Sequence, residues 1–484
     1  MRLFIISVLF LLHYLSMSQT VNWRDPNKEA VIQEISSKAE KYKKAARDIW
    51  SFAELGFQEN KSTAALQLLL EEAGFSVQKG VSAMPTAFVA TFGKGKPVIG
   101  VLAEFDALPG LSQDSLPERK IILEGAPGHA CGHHLFGVAS VASAIALKNW
   151  LEKSGKSGTI KLYGTPAEEG GGAKVYMVRD GLFNGVDAVL HWHPGSGNQA
   201  SPSSCLAIKQ TIFRFHGKSS HAAAAPHAGR SALDGLEAMN NMVNLMREHI
   251  PQEARIHYVI VKGGLAANVV PDYAEAEYMV RHPDARMVEE IWNRIVKAAQ
   301  GAAMGTETTV DHEVISGSFN LAPNETLSRI MHENLLKIGG VPYTRSEIEF
   351  GKKIQSTLIT KFPAIETAAQ VAPFQTGQVF PASTDVGDIT WVVPTAGLGT
   401  ATWVPGVAPH TWQAVACGAT DIGLKGMINA AKVLAMTGID IITNPSIAEK
   451  AKKELADYVG PGYIYKSMIG DRQPPLDYRA GKNN

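Results

Sequence analysis

"LFGVASVASAIALKNWLEKSGKSGTIKLYG" (residues 135–164) sets a long apolar helix, a glycine-bounded break and a short apolar strand in immediate succession. The same alternation continues downstream, with a short helix near residues 173–180 and the strand "VDAVLHW" (186–192). Upstream lie two strand-like runs, "TAFVATFG" (86–93) and "PVIGVLAEF" (97–105), separated by a Gly-Lys-Gly-Lys turn. Strands that are apolar throughout and alternate with helices predict an α/β fold: a mostly parallel central sheet with helices on both faces. In such sheets ligand sites gather where strands end and loops begin.

Towards the N-terminus, Asp25 and Pro26 offer an N-cap and a first helical residue. Ile32, Ile35, Ala39, Tyr42, Ala46 and Ile49 then recur at spacings of three and four, predicting one amphipathic helix. A second helix runs from about Ser62 to a stop at Gly74. Beyond residue 200 the pattern changes. "AIKQTIFRFHG" (207–217), "RIHYVIVKGG" (255–264), "DYAEAEYMVR" (272–281) and "ETTVDHEVISGSF" (307–319) read as strands, with helices over 231–248 and 286–302. In the third strand Ala274, Ala276, Tyr278 and Val280 share one face and Glu275 and Glu277 the other, which is the antiparallel pattern of one buried and one wet face. The order βαββαβ predicts a smaller, ferredoxin-like α+β domain over 205–321. It interrupts a catalytic domain built from 21–204 and 322–484.

The first residues, "MRLFIISVLFLLHYLSMSQT", place Arg2 before an apolar run and small residues after it. We read 1–18 as a secretory signal peptide, so the protein is expected to be secreted or periplasmic. No later stretch reaches ~18 unbroken apolar residues, so no stable membrane insertion is expected after cleavage. The chain has 484 residues, 45% hydrophobic, which is ample for two domains. Its 46 basic and 46 acidic side chains cancel, so nothing in the overall charge draws it to nucleic acid; a small-molecule substrate is expected instead. Three cysteines, Cys131, Cys205 and Cys417, are too few and odd in number for a disulfide framework.

Four short stretches carry the residue types of a hydrolytic metal site: Cys131 and His133 in "HACGHH", Glu168 and Glu169 in "GTPAEEGGG", His191 and His193 in "AVLHWHPG", and His410 in "VAPHTWQ". Thiolate, imidazole and carboxylate bind divalent metal, and of two adjacent carboxylates one can hold the metal while the other takes a proton. Glycine or proline flanks each stretch, as functional loops require. A rival reading makes Cys131 a nucleophile with His133 or His129 as its base, but it leaves Glu168, Glu169 and His410 without a task.

Together "HACGHHLFG", "TPAEEGGGAKVYM", "WHPG", "GKSSHAAAAPHAGRSALDG", "GGLAANVVPD", "STDVGDITW", "PHTWQ" and the C-terminal "YIYKSMIGDRQPPLDYR" resemble the aminoacylase and carboxypeptidase superfamily of di-metal hydrolases. Within it they are most similar to the amidohydrolase branch of hippurate hydrolases, indole-acetyl-amino-acid hydrolases and the B subunit of p-aminobenzoyl-glutamate hydrolase. The resemblance implies two divalent ions per subunit, Zn²⁺ or Mn²⁺, on Cys131, His133, Glu169, His193 and His410, with Glu168 as general base. It implies that His221 reaches a neighbouring subunit's site, that Asn268 and Arg281 grip the substrate, and that Asp106 orients a metal-binding histidine. His191 lies two residues from His193 on the same strand face and competes with it. His134 stands where many relatives have aspartate, either as a spare ligand or simply packed. The function implied is hydrolysis of the amide in N-acyl amino acids, p-aminobenzoyl-glutamate-like compounds or dipeptides, by a homodimer or higher homo-oligomer. The alternatives are a dipeptidase or carboxypeptidase of the same family, or a subunit that is inactive without a related partner.

Overall fold

The computed structural model describes residues 25–479; the segment read as a signal peptide lies outside them. Asp25 caps the first helix through the Asn27 amide, with Pro26 opening it. The single helix expected over 26–49 is two, α1 (Pro26–Ser37) and α2 (Ala39–Phe52). The break has a local cause: the Ser36 and Ser37 hydroxyls turn back onto the carbonyls of Ile32 and Glu34, competing with the helical ladder. Next come α3 (Asn60–Glu72), which ends at Gly74 with φ of 88°, and the strands β1 (Ser76–Lys79), β2 (Phe88–Lys94) and β3 (Val98–Ala103).

The long apolar stretch folds as α4 (His133–Ser154), followed by β4 (Gly158–Gly164), α5 (Ala173–Arg179) and β5 (Ala188–Gly195). The short β6 (Ser203–Ser204) leads into the inserted unit: β7 (Ala207–His216), α6 (Ala232–Met246), β8 (Arg255–Lys262), β9 (Tyr273–His282), α7 (Ala285–Gly305) and β10 (Thr309–Ser318). The chain then forms α8 (Glu325–Ile338), α9 (Arg345–Gln355), β11 (Gln378–Val379) and α10 (Val386–Thr390). It closes with β12 (Thr395–Ala401), α11 (Trp412–Gly418), α12 (Asp421–Thr443) and α13 (Ser446–Val459).

The six-stranded sheet runs β1-β2-β4-β3-β5-β12. β4, β3, β5 and β12 are mutually parallel, whereas β1 and β2 add an antiparallel edge. β3 and β4 are buried at nearly every position, so both faces of the sheet are covered. α4 and α12 pack against each other and on the sheet, while on β4 Tyr163 stacks on Phe183 at 4.3 Å. α12 is long and apolar enough to cross a membrane by composition, but it is largely buried in this core. The second sheet, order β10-β7-β9-β8, is antiparallel and carries α6 and α7 on its apolar face, giving the βαββαβ order its own core around Phe213, Leu236, Tyr278 and Ile295.

Candidate active site

The parallel strands deliver the chemistry at their C-terminal ends. β3 runs into Glu104 and Asp106, β4 into Glu168 and Glu169, and β5 carries His193, while α4 begins at His133. Gly132, at the turn into α4, has φ of 76°, and a Cβ there would lie 2.7 Å from Pro194, so only glycine lets this loop approach β5. The loop after β12 brings in His410, whose amide is tied to the Ala130 carbonyl at 2.9 Å. Glu104, Cys131, Glu168, Glu169, His193 and His410 line one cleft of about 690 Å³, together with Asn198, Phe380 and Thr384, while Asp106 and His133 lie buried behind them.

Donor atoms of Cys131, His133 and His193 lie within 4.8 Å of one another, as do those of Cys131, Glu169 and His410 and those of His133, Glu168 and Glu169. Cys131 Sγ is 3.6 Å from His193 Nε2, and His410 Nε2 is 3.0 Å from Glu169 Oε1. His133 Nδ1 meets Asp106 Oδ1 at 2.8 Å, which turns Nε2 inward, 3.1 Å from Glu104 Oε2. Although these approaches are short, Glu104 Oε2, Glu169 Oε1 and buried His133 Nε2 make no hydrogen bond. Nitrogen and oxygen atoms left without hydrogen-bond partners, converging beside a cysteine sulfur in a buried pocket, are what a soft-to-borderline divalent cation satisfies, so the residues fit a metal centre.

The electrostatics agree with that reading. Burial, reinforced by Glu169 and Glu168, pushes the Cys131 thiol far up. Burial would depress His133, but the neighbouring acidic groups, Asp106 and Glu104 among them, outweigh it and hold the ring well above its usual range. Burial, then the charges of Glu104, Glu169 and Asp385, raise Glu168 well above the ordinary carboxyl range, which suits a group that takes and returns a proton.

His191 is elsewhere in the cleft. It lies over β12, where a Cβ on Gly397 would meet its Nε2 at 2.3 Å, and burial lowers it to about 4. His134 is packed against His129 at 4.8 Å with Nε2 on the Gly418 carbonyl, outside the donor groups. His221, Asn268 and Arg281 belong to the inserted unit and do not line the cleft of their own chain. His221 is exposed, its Nδ1 accepting from the Ala223 and Ala224 amides, while the Asn268 carbonyl accepts from Ala222 and the Arg281 guanidinium rests on the Met279 sulfur.

Four residues of the site escaped the sequence reading: Lys174, Asp385, Glu59 and Glu104. Lys174 is wholly buried, with Nζ 2.8 Å from Glu104 and 2.6 Å from Asp385, and Glu59 accepts from the Ala167 amide and the Thr86 hydroxyl, both at 2.8 Å. Ala167 has a left-handed φ of 53°, so Glu59 holds a strained backbone immediately before Glu168. A lysine inside the apolar "GGGAKVYM" and an aspartate in "STDVGD" were visible clues; Glu104, two residues before Asp106, shared its strand parity.

The sheet, the inserted unit and the pocket of potential metal ligands define a hydrolase of α/β architecture, and the chain belongs to the M20 peptidase family, whose members hydrolyse amide and peptide bonds. It is 40% identical over 446 residues to the B subunit of p-aminobenzoyl-glutamate hydrolase from Escherichia coli (strain K12), covering 87% of this chain and 93% of that protein. It is 29% identical to the Xaa-Arg dipeptidase of Mus musculus, over 88% of this chain and 91% of that one. Residues 208–307 match the peptidase dimerisation domain. The fold is shared with a dinuclear metal-binding M20 peptidase of Bacillus subtilis (TM-score 0.59, 18% identity, 84% of this chain and 99% of that one). It is shared too with an aminobenzoyl-glutamate utilization protein of Klebsiella pneumoniae (TM-score 0.56, 17% identity, 85% and 98%).

Proposed function

We propose that the protein is an exported, metal-dependent amidohydrolase that cleaves the amide of p-aminobenzoyl-glutamate or a related N-acyl amino acid. The observation that carries this is the convergence of Cys131, His133, Glu169, His193 and His410 on one cleft beside Glu168, in a chain 40% identical to one subunit of a p-aminobenzoyl-glutamate hydrolase. A bound pair of divalent ions, Zn²⁺ by thiolate softness or Mn²⁺ by the carboxylates, would supply carbonyl polarisation and a lowered water pKa. Glu168 accepts the proton of the attacking water and returns it to the amide nitrogen as the C–N bond breaks. Asp106 holds His133 in one tautomer, and its second oxygen accepts the Glu169 amide at 2.9 Å, so a single carboxylate sets two ligands.

Among the described residues no lysine or arginine lines the cleft. A substrate carboxylate therefore draws on a cation from outside it, and Arg281, with Asn268 and His221, would enter from a second copy. β8 is an edge strand exposing Val259, Ile260 and Val261, a surface suited to pairing copies. The apolar residues 3–12 support export. Dipeptide hydrolysis is the second reading, favoured by the 29% identity to a dipeptidase.

The test is metal analysis of the purified chain together with a hydrolysis screen of p-aminobenzoyl-glutamate, N-acyl amino acids and dipeptides, before and after chelation. Activity on the first that is lost on chelation and restored by Zn²⁺ or Mn²⁺ is expected. Metal-independent turnover, blocked by a thiol alkylator, would overturn the proposal in favour of Cys131 as nucleophile. A chain that is metal-loaded but inactive until a related subunit is added would show that the site is not self-sufficient.

A further inference from the structure

The loop that carries Glu168 and Glu169 is held from three sides, and the third is the C-terminal tail. Glu59 takes the Ala167 amide and Asp106 takes the Glu169 amide. Within the loop the Glu168 carbonyl accepts from Gly170, and the Ala167 carbonyl accepts from Gly171 and Gly172. The Glu169 carbonyl instead points outward and receives two donors from the end of the chain, the Tyr478 hydroxyl at 3.2 Å and the Arg479 guanidinium at 2.8 Å. The next residue, Gly170, has φ of 106°, a conformation open to glycine and strained for other residues, so the Glu169–Gly170 peptide plane has little preference of its own. That plane is held at its N–H by the Glu168 carbonyl, 2.7 Å from the Gly170 nitrogen, and at its C=O by the pair of donors from the tail.

The tail is built to stay there. Tyr478 meets Phe57 edge-on at 5.8 Å, and a Cβ on Gly56 would fall 2.2 Å from the Tyr478 oxygen, so the ring occupies a seat that only glycine leaves open. Arg479 lies over the Tyr478 ring at 5.1 Å. Farther back, α5 grips the same segment: Tyr176 donates to the Gln473 carbonyl, and Arg179 to the carbonyls of Gly470 and Arg472. Arg472 in turn pairs with Glu313 on β10, in the four-stranded sheet, and Met468 packs against Gly317 of the same strand. One short segment thus connects the inserted unit to the backbone of the paired glutamates.

We propose that residues Arg472–Arg479 form a strap that fixes the Glu168–Glu169 loop and ties its geometry to the inserted unit, with Tyr478 and Arg479 as positioning residues. The proposal rests on the catalytic reading of Glu168 and Glu169 for its effect on turnover, but not for its effect on the loop. The strap acts through the backbone: releasing the Glu169 carbonyl leaves the plane held at its N–H alone, so that it tilts and misplaces two carboxylates whose alignment sets the rate.

The test compares the full chain with one ending at Pro475 and with the double variant Tyr478→Phe/Arg479→Met, using Arg479→Lys as the conservative control. Hydrogen exchange of peptides covering 165–175, measured on metal-free protein, is expected to quicken in the first two variants while peptides from α12 stay unchanged. In the metal-loaded enzyme kcat is expected to fall about tenfold or more with KM nearly constant, and Arg479→Lys to keep most of the rate. Unchanged exchange in the loop overturns the strap, whether or not the enzyme proves to be an amidohydrolase. Quickened loop exchange with an unchanged kcat overturns the positioning role. If the shortened chain fails to fold, the double variant decides on the same two readouts. If the full chain hydrolyses no amide, the catalytic reading fails and the exchange data alone judge the strap.

Discussion

Asp106→Asn isolates the orienting carboxylate almost without changing shape. In the native site Asp106 is buried and both oxygens are committed, Oδ1 to His133 Nδ1 at 2.8 Å and Oδ2 to the Glu169 amide at 2.9 Å. Asparagine offers one acceptor where two donors arrive. The Glu169 N–H cannot change its nature, so the amide oxygen stays there and the NH₂ faces His133. The ring then keeps its proton on Nε2, the atom that faces Glu104 and the metal position. Loss of an outer partner of this kind weakens metal binding by about 10–100-fold, equivalent to about 1.4–2.7 kcal/mol. The alternative orientation sets NH₂ against N–H and loses a charge-assisted bond worth about 1.5–3 kcal/mol at the Glu169 loop. Both orientations damage the site. The assay is chelator competition for the bound metal, with kcat/KM on the same preparation and circular dichroism to check the fold. Metal affinity and kcat/KM both at the wild-type level would refute the assignment of Asp106 and, with it, the inward Nε2 of His133.

Cys131→Ser replaces a soft ligand by a weak one. It should lower metal occupancy while the metal-free protein unfolds at nearly its usual midpoint; undiminished occupancy would remove Cys131 from the centre. Lys174→Met leaves Glu104 and Asp385 buried without their shared cation and should destabilise the fold by about 3–5 kcal/mol in urea titrations, whereas a loss below about 1 kcal/mol would mean those carboxylates are otherwise compensated. Burial, then the charge of Asp106, raises Glu59 to about 8 in the folded chain from an ordinary 4.5. Its contribution to stability is therefore complete below about pH 4.5 and is lost as pH rises through about 8. Glu59→Gln keeps an acceptor for the Ala167 amide, lets its NH₂ donate to the Thr86 hydroxyl oxygen once that hydroxyl has turned its proton away, and removes that titration. Its stability relative to wild type should improve between those limits, and parallel pH profiles of the two proteins would contradict the raised value.

Much of the architecture was legible along the chain because it depends on local pattern. Apolar periodicity located β4, β5, α4 and all six elements of the inserted unit, and cap residues such as Asp25, Pro26 and Gly74 marked ends that depend on neighbours only a few residues away. The α1–α2 break was missed because apolar spacing continues through Lys38, while the interruption comes from serine hydroxyls that periodicity does not weigh. In the site, motif chemistry marked Cys131, His133, Glu168, Glu169, His410 and the pair His191 and His193, between which only the family resemblance favoured His193. Lys174, Glu59, Glu104 and Asp385 went unnoticed because a buried charge is indistinguishable from a surface charge until its partners are known.

The order of residues alone settled which side chains were available for chemistry and which segments became helix or strand, since propensity, periodicity and capping act over a turn or two of chain. Folding in three dimensions decided everything that depends on meeting across the chain. It set His193 in the donor group while His191 lay over β12, left His134 packed against His129, placed Lys174 between two carboxylates, and brought Tyr478 and Arg479 to the carbonyl of Glu169, 309 and 310 positions away. Pairs so distant carry no local signature. Their contact exists only once the buried sheet and its helices have fixed where each loop must end.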